Sequence, residues 1–347
     1  MTATNAELWG LEVPIVLGPF GGVSSVALTA AVSEAGGLGS FGLYGYSAER
    51  IRETTARLRD ATDKPINLNL WWPTGTEVTP DDIDWDAALS AVAPLYAEMG
   101  LDFPARPQQF LPPFEEQLAA VVEARPAVAS FVYWVPDERT IAHLHDVGTR
   151  VVATATHVAE ARALAAAGVD AIIASGMEAA GHRVTFMGEA EDALVGTFAL
   201  VPQVVDAVDV PVLAAGGVAD RRGVAAAFAL GARGVVVGSA FLATAESAAP
   251  PAHKAALRGA QANGTTLTRA MSGRLARGIA NDAMRQLEAR GYAPFPAQNV
   301  VTGAFRAVAA QNDDASHLSL WAGQAASLAT GETAGAVMAE LRAGLPG

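Results

Sequence analysis

Eight short apolar runs alternate with helical patterns along roughly the first two thirds of the chain, and this order predicts an α/β fold, a (β/α)8 TIM barrel. Two details sharpen the prediction. Residues 169–174 and 212–215 are nearly unbroken apolar segments, the pattern of strands covered on both faces in a parallel sheet. The eight strand and helix units together occupy about 235 residues, the usual size of such a barrel. The remainder of the chain reads as a C-terminal helical extension covering the barrel mouth. The domain reading is therefore 1–247 for the barrel and 248–347 for a helical region that covers substrate.

The first unit is a short buried run at 14–17, closed by Gly18-Pro19-Phe20-Gly21-Gly22, after which Ser24 or Ser25 caps a helix to about 35. Gly36-Gly37 stops that helix, 38–43 makes the second strand, and Ser47 starts a helix toward 60. Lys64-Pro65 leads into the third strand, 66–70. From about 71 to 113 the pattern loosens into an excursion rich in proline and acidic residues, with one helix from about 85 to 99. A long loop at a strand's carboxyl end is usually functional. A helix at 114–124, a fourth strand at 128–134, a helix at 137–147 and a fifth strand at 150–153 come next, and His157 opens a helix to 167. The sixth strand, 169–174, feeds a loop of small residues that reaches His182. A helix from about 196 to 208 precedes the seventh strand, 212–215; Asp220 caps a helix to 230, and the eighth strand is 234–237. Beyond about 246 no strand pattern appears. Helices are expected near 252–263, 281–290, 302–311, 316–329 and 333–343.

Composition narrows the function classes. The chain has 347 residues, 51% of them hydrophobic, and a formal net charge of −13, which argues against nucleic acid or an anionic membrane as partner. An anionic substrate must then be held by local donors. The absence of cysteine excludes disulfides, thiolate metal sites and a cysteine nucleophile. The amino terminus lacks a basic stretch followed by an apolar one, so the expected location is cytoplasmic. No metal is expected: His143 and His145 are two apart in a helix and point in different directions, His157 reads as exposed near a helix start, and His253 and His317 read as surface positions. The expected partners are a small-molecule substrate and, as an open reading, a second copy of the chain.

The strands at 212–215 and 234–237 end in Gly216-Gly217 and Gly238-Ser239. Backbone amides at such turns, backed by a helix N-terminus, form an anion site, and these two loops commonly hold a phosphate in barrels of this kind. A phosphorylated cofactor or substrate is expected there. Gly37-Leu-Gly39-Ser-Phe-Gly42 matches GxGxxG but lies within a strand, so it reads as crowded barrel packing rather than a dinucleotide loop. Asn67 and Asn69 face one side of the third strand; Asn69, nearer the mouth, suits a ligand, and Asn67 suits a ligand or an internal hydrogen bond equally. Trp71 and Trp72 read as pocket walls or core packing. His182 follows Ala179, Ala180 and Gly181, whose small size lets the backbone approach a flat ligand closely.

With these residues in hand the chain resembles a family, the nitronate monooxygenases, flavin-dependent enzymes formerly called 2-nitropropane dioxygenases. The resemblance covers most of the chain and rests on PIVLGPFGGVSS, AGGLGSFG, DKPINLNLW, EAAGHRVTF, PVLAAGGVADRRGVAAAFALGARGVVVGSAFL, SGRLARG and LSLWAGQAASL. It implies FMN without a metal, the phosphate at Gly217, Gly238 and Ser239, Asn69 near the ring, Ser175, Ala180, Gly181 and Gly216 as further cofactor contacts, and His182 as catalytic residue. It also implies oxidation of alkyl nitronates, such as propionate 3-nitronate, by O2 to a carbonyl compound and nitrite. Two positions depart from the family loop Gln-Gly-x-Glu-Ala-Gly-Gly-His: Ser175 stands for its glutamine and Ala180 for the first glycine of its pair. Two other readings share the barrel and the loops: an FMN-dependent NAD(P)H enoyl-thioester reductase, and a flavin-binding barrel with little turnover.

Overall fold

The computed structural model describes residues 8, 9 and 11–346. Residues 1–7, on which most of the reading of the amino terminus falls, lie outside the described residues. The repeating units run β1 (Ile15–Leu17), α1 (Val26–Glu34), β2 (Gly39–Gly42), α2 (Ala48–Ala61) and β3 (Ile66–Trp71). The excursion carries α3 (Trp85–Glu98), and the chain then returns through α4 (Phe114–Ala124), β4 (Val128–Val132), α5 (Glu138–Asp146), β5 (Arg150–Ala155), α6 (Val158–Ala167) and β6 (Ala171–Ser175). A two-residue strand, β7 (Gly181–His182), stands outside the barrel before α7 (Thr197–Val205), β8 (Val212–Ala215), α8 (Arg221–Ala229) and β9 (Gly234–Val237).

Eight parallel strands pair in the order β1-β9-β8-β6-β5-β4-β3-β2. A single parallel bridge, Val16 to Leu38, joins the two ends and nearly closes the barrel. The strand alternation sorts the core into two layers. Val16, Val152, Ile173, Leu213 and Val236 cluster inside the barrel with Leu8 and Leu11. Their sequence neighbours Ile15, Leu17, Ile172, Ala174, Val235 and Val237 pack outward with residues of the helices, such as Leu28, Leu58, Leu164, Val204 and Val224. One interior layer is polar: Asn67 donates to the hydroxyls of Ser40 and Ser130 at 3.0 and 2.9 Å, so it serves the internal hydrogen bond. Helix starts are set by side chains that accept from the first-turn amides, among them Ser25, Ser47, Asp137 and Asp220.

The tail holds α9 (Ser239–Leu242), α10 (Pro251–Arg258), β10 (Thr265–Thr268), β11 (Ala276–Ile279), α11 (Asp282–Arg290), α12 (Ala297–Val301), α13 (Gly303–Gln311) and α14 (Ala334–Arg342). Two expectations fail here. The tail does contain strands, because β11 pairs antiparallel both with β10 and with β7, a partner about ninety residues away that no local pattern announces. The expected helix at 316–329 is instead two single 3-10 turns around an extended stretch. Trp321 there bridges to Gly278, and a side chain at Gly323 would meet the carbonyl of Glu178 at 2.8 Å, so close backbone approach replaces helix. The excursion packs on the tail: Trp85, Val92, Leu95 and Tyr96 share a core with Met271, Met284, Leu287, Val301 and Phe305.

The glycines of the GxGxxG match sit where backbones cross. A Cβ at Gly39 would lie 2.0 Å from the Thr29 carbonyl, and one at Gly42 would lie 2.6 Å from that of Phe20. Gly39→Ala is expected to cost about 3 kcal/mol or more, because rigid backbone rather than a movable side chain opposes the methyl. Urea denaturation measures it, and a midpoint within error of the parent would contradict this account.

Candidate active site

A cavity of about 530 Å³ opens at the carboxyl ends of the barrel strands, within the range of small-ligand sites. Asn69, Ser175, Ala180, Gly181, His182, Gly216, Gly217, Gly238 and Ser239 all line it. Trp71 does too, whereas Trp72 packs behind it against Phe114 and Phe131. The tail closes the opposite side with Phe295, Asn299, Arg306, Trp321 and Gly323; the last two fall within LSLWAGQAASL, whereas no motif marked the first three. For Arg306 the only sequence signal was its place on one helical face with Thr302 and Asn299, four and seven residues before it. A charged residue in such a position reads first as a solvated one.

On one side of the cavity the geometry suits a phosphate. Gly216 and Gly217 adopt φ +99 and +72, and a Cβ at Gly216 would sit 3.0 Å from both the Ala179 amide and the Thr197 hydroxyl. At Gly217 a Cβ would meet only the Glu178 side chain, at an ordinary 3.8 Å, so the left-handed backbone rather than crowding calls for glycine there. Among the described residues, no protein group accepts from the amides of Gly217, Gly238 or Ser239. Gly217 is exposed and Gly238 and Ser239 are half-buried at the cavity wall, so their amides are free to donate to a phosphate, which supplies several acceptors. Asn69 donates to the carbonyl and hydroxyl of Ser130 at 3.1 and 3.0 Å, which fixes its amide at the mouth of β3. These residues fit a flavin nucleotide.

The loop between β6 and β7 is held by buried charge. Arg183 donates to the carbonyls of Ser175, Gly176 and Ala193, and Arg277 to that of Met177. The Glu178 carboxylate accepts from the amide and hydroxyl of Thr197. Glu160, fully buried on α6, accepts from the Thr156 amide and hydroxyl, the Thr185 hydroxyl and the amides of Phe186 and Met187. His182 is thereby fixed from both sides in the chain.

The imidazole of His182 lies 2.8 Å from the Ser272 hydroxyl through Nε2 and is flanked by Trp71 and Trp321, with ring centroids 4.9 and 5.4 Å away. Burial, and then the charges of Arg274 and Arg306, push its pKa down to about 3, so it is neutral near pH 7. Arg274 is paired with Glu77 at 2.6 Å and lies over the rings of Tyr133 and Phe295. Arg306 has no carboxylate partner among the described residues. Its donors reach Asn299, the Thr302 carbonyl and the Ser319 hydroxyl, and burial pushes its pKa down to about 10. A guanidinium at that value remains charged.

Other histidines depart from expectation. His253 is buried at 3% exposure, lines the cavity and contacts the Trp321 carbonyl at 3.0 Å. His317 is buried at 5% and bonded to Asp314 at 2.5 Å. The tail's fold over the barrel covers both, a consequence of tertiary packing. His157 is half-buried, with Nε2 3.0 Å from the Met187 carbonyl.

A family model described as nitronate monooxygenase matches residues 3–344. The chain belongs to the nitronate monooxygenase family. Relatives called nitronate monooxygenase from Pseudomonas aeruginosa and Paraburkholderia phytofirmans are 40% and 39% identical to it. The first match covers 95% of both chains, the second 96% of this chain and 92% of the relative. Among solved structures, a nitroalkane oxidase from Streptomyces ansochromogenes is similar with a TM-score of 0.85, 37% identity and 96% of both chains covered. As a nitronate monooxygenase family member the protein is a flavin-dependent oxidoreductase acting on small molecules. No helix among the described residues is long and apolar enough to cross a membrane.

Two outcomes follow from the buried charges. Glu160→Gln turns one acceptor into a donor facing donors and is expected to cost about 3 kcal/mol in urea denaturation, with faster proteolysis near 185–187. His182 binds a proton near pH 6.5 when unfolded but only near 3 when folded, so its contribution is complete above about 6.5 and is lost as the pH falls toward 3. Stability measured at pH 7 and pH 5 should therefore fall more steeply in the parent than in His182→Gln; parallel slopes would refute the shift.

Proposed function

We propose that the protein is an FMN-dependent nitronate monooxygenase that oxidises alkyl nitronates, such as propionate 3-nitronate, with O2 to a carbonyl compound and nitrite. The observation that carries this reading is the presence, in one cavity, of a neutral histidine, a buried guanidinium without a carboxylate partner and a row of amides without acceptors. The amides of Gly216, Gly217, Gly238 and Ser239 would hold the FMN phosphate. Asn69, Ser175, Ala180 and Gly181 would lie along the ring, with the serine reaching less far than the family's glutamine. Bound there, FMN supplies the one-electron chemistry between nitronate and O2.

The chain's own groups do the rest. A nitronate is an anion, and a neutral imidazole offers it no charge, so Arg306 is the group that compensates it. With a neutral nitroalkane, His182 takes the α-proton as general base, its depressed pKa keeping it unprotonated across the working range. Trp71, Trp321, Phe295 and Tyr44 wall the cavity with aromatic surface that excludes water. Under this reading residues 1–247 carry the cofactor and 248–347 cover the substrate. Neither a metal nor NAD(P)H takes part, and the acidic chain works in the cytoplasm on small molecules.

Oxygen uptake and nitrite release by the purified yellow protein test the proposal. Propionate 3-nitronate should support both without NADH. His182→Ala should lower turnover of a neutral nitroalkane about 100-fold or more, and Arg306→Met should raise KM for the nitronate about tenfold or more. A colourless protein, or a flavin bleached by NADH with no nitrite formed from the nitronate, would overturn the assignment.

A further inference from the structure

We propose that Ser272 is a positioning residue that fixes the proton of His182 on Nε2 and leaves Nδ1 as the open base. Ser272 lies in the turn between β10 and β11, at 2% exposure. Its hydroxyl has three neighbours: Nε2 of His182 at 2.8 Å, the carbonyl oxygen of Arg274 at 3.2 Å and the amide nitrogen of Arg274 at 3.3 Å. A hydroxyl offers one proton and two lone pairs. The Arg274 amide can only donate and its carbonyl can only accept. All three contacts are satisfied together in one arrangement, in which Ser272 accepts from the amide, donates to the carbonyl and accepts from Nε2–H of His182. If the serine instead gave its proton to His182, two oxygen acceptors would face each other at 3.2 Å.

The surroundings hold this arrangement. The Arg274 guanidinium is paired with Glu77 and set over two aromatic rings, so the backbone that embraces Ser272 is anchored by its own side chain. Gly273 turns at φ +86, where a Cβ would meet the Phe295 amide at 2.4 Å. Beyond the turn, Ala276 pairs with His182 and the Arg183 amide donates to the Leu275 carbonyl at 2.8 Å, which keeps turn and imidazole in register. Because the imidazole is neutral it carries one proton, and with that proton on Nε2 the lone pair is on Nδ1. No protein group among the described residues is hydrogen-bonded to Nδ1, and His182 lines the cavity. Nδ1 is therefore the nitrogen available to substrate.

The kinetic half of this inference rests on the proposed nitronate chemistry; the tautomer itself does not. Long-range 1H–15N NMR of the 15N-histidine-labelled holoenzyme, with His182 assigned by its loss in His182→Gln, should show protonated Nε2 and unprotonated Nδ1. In Ser272→Ala that signal should shift toward a tautomer mixture. The variant's kcat/KM should fall about tenfold or more further with a neutral nitroalkane, which needs the base, than with its preformed nitronate, which does not. Ser272→Thr, which keeps the hydroxyl, should restore most of the loss. A proton on Nδ1 in the parent overturns the inference even if Ser272→Ala does not fold, as does an equal loss on both substrates. A protein silent toward every nitro compound would remove the proposed function while the NMR result still judged the tautomer.

Discussion

The site depends on one short backbone pairing, that of Gly181 and His182 with Arg277 and Ala276. Through it the barrel loop and the tail form a single three-stranded sheet beside the cavity. The barrel alone would supply glycine loops, an asparagine and a histidine on a free loop. The pairing gives that histidine a fixed backbone, a serine partner and an aromatic neighbour in Trp321. It also explains why the tail departs from simple helix: its strands exist to meet a loop from the other part of the chain.

Around that pairing buried charge is arranged in satisfied groups. Glu160, Glu178 and Arg183 direct their hydrogen bonds to the backbone of the β6–β7 connection and its flanks, and Arg274 is neutralised by Glu77. Unpaired buried charges are costly, so this pairing supports a stable loop, with Arg183 Nε the one nitrogen of these groups that is buried without an acceptor among the described residues. Arg306 stands apart, hydrogen-bonded but without a counter-charge among the described residues. Burial lowers the basicity of His182 first, and Arg274 and Arg306 lower it further, so under the proposed function the guanidinium that would meet an anion also favours the neutral imidazole. The two effects are one electrostatic field seen by two groups.

The two departures from the family loop fall on the cavity wall rather than on the scaffold. Ser175 ends β6, and its carbonyl, not its side chain, is engaged by Arg183. Replacing the family's glutamine therefore leaves the loop's support intact and changes only what faces the cavity. Ala180 lies between Ala179 and Gly181 on the cavity wall, and its backbone amide is close to Gly323, where tail and loop touch.

The sequence by itself determined the barrel, its strand ends and the two glycine loops, because each arises from local chemistry: apolar runs of strand length, caps that accept from first-turn amides, and glycines at the strand ends, of which Gly216 and Gly217 take positive φ. It also identified Asn69 and His182 as cavity residues, since strand alternation and position at a carboxyl end are local properties. Only the tertiary structure decided which face of the tail meets the barrel. That choice buried His253 and His317, made strands of 265–268 and 276–279, and brought Ser272, Arg274 and Arg306 to within reach of one imidazole. Those residues come from segments about ninety or more positions from His182, where no periodicity or spacing connects them. Their meeting is fixed by packing and by two-residue pairing, interactions that exist only once the chain has folded.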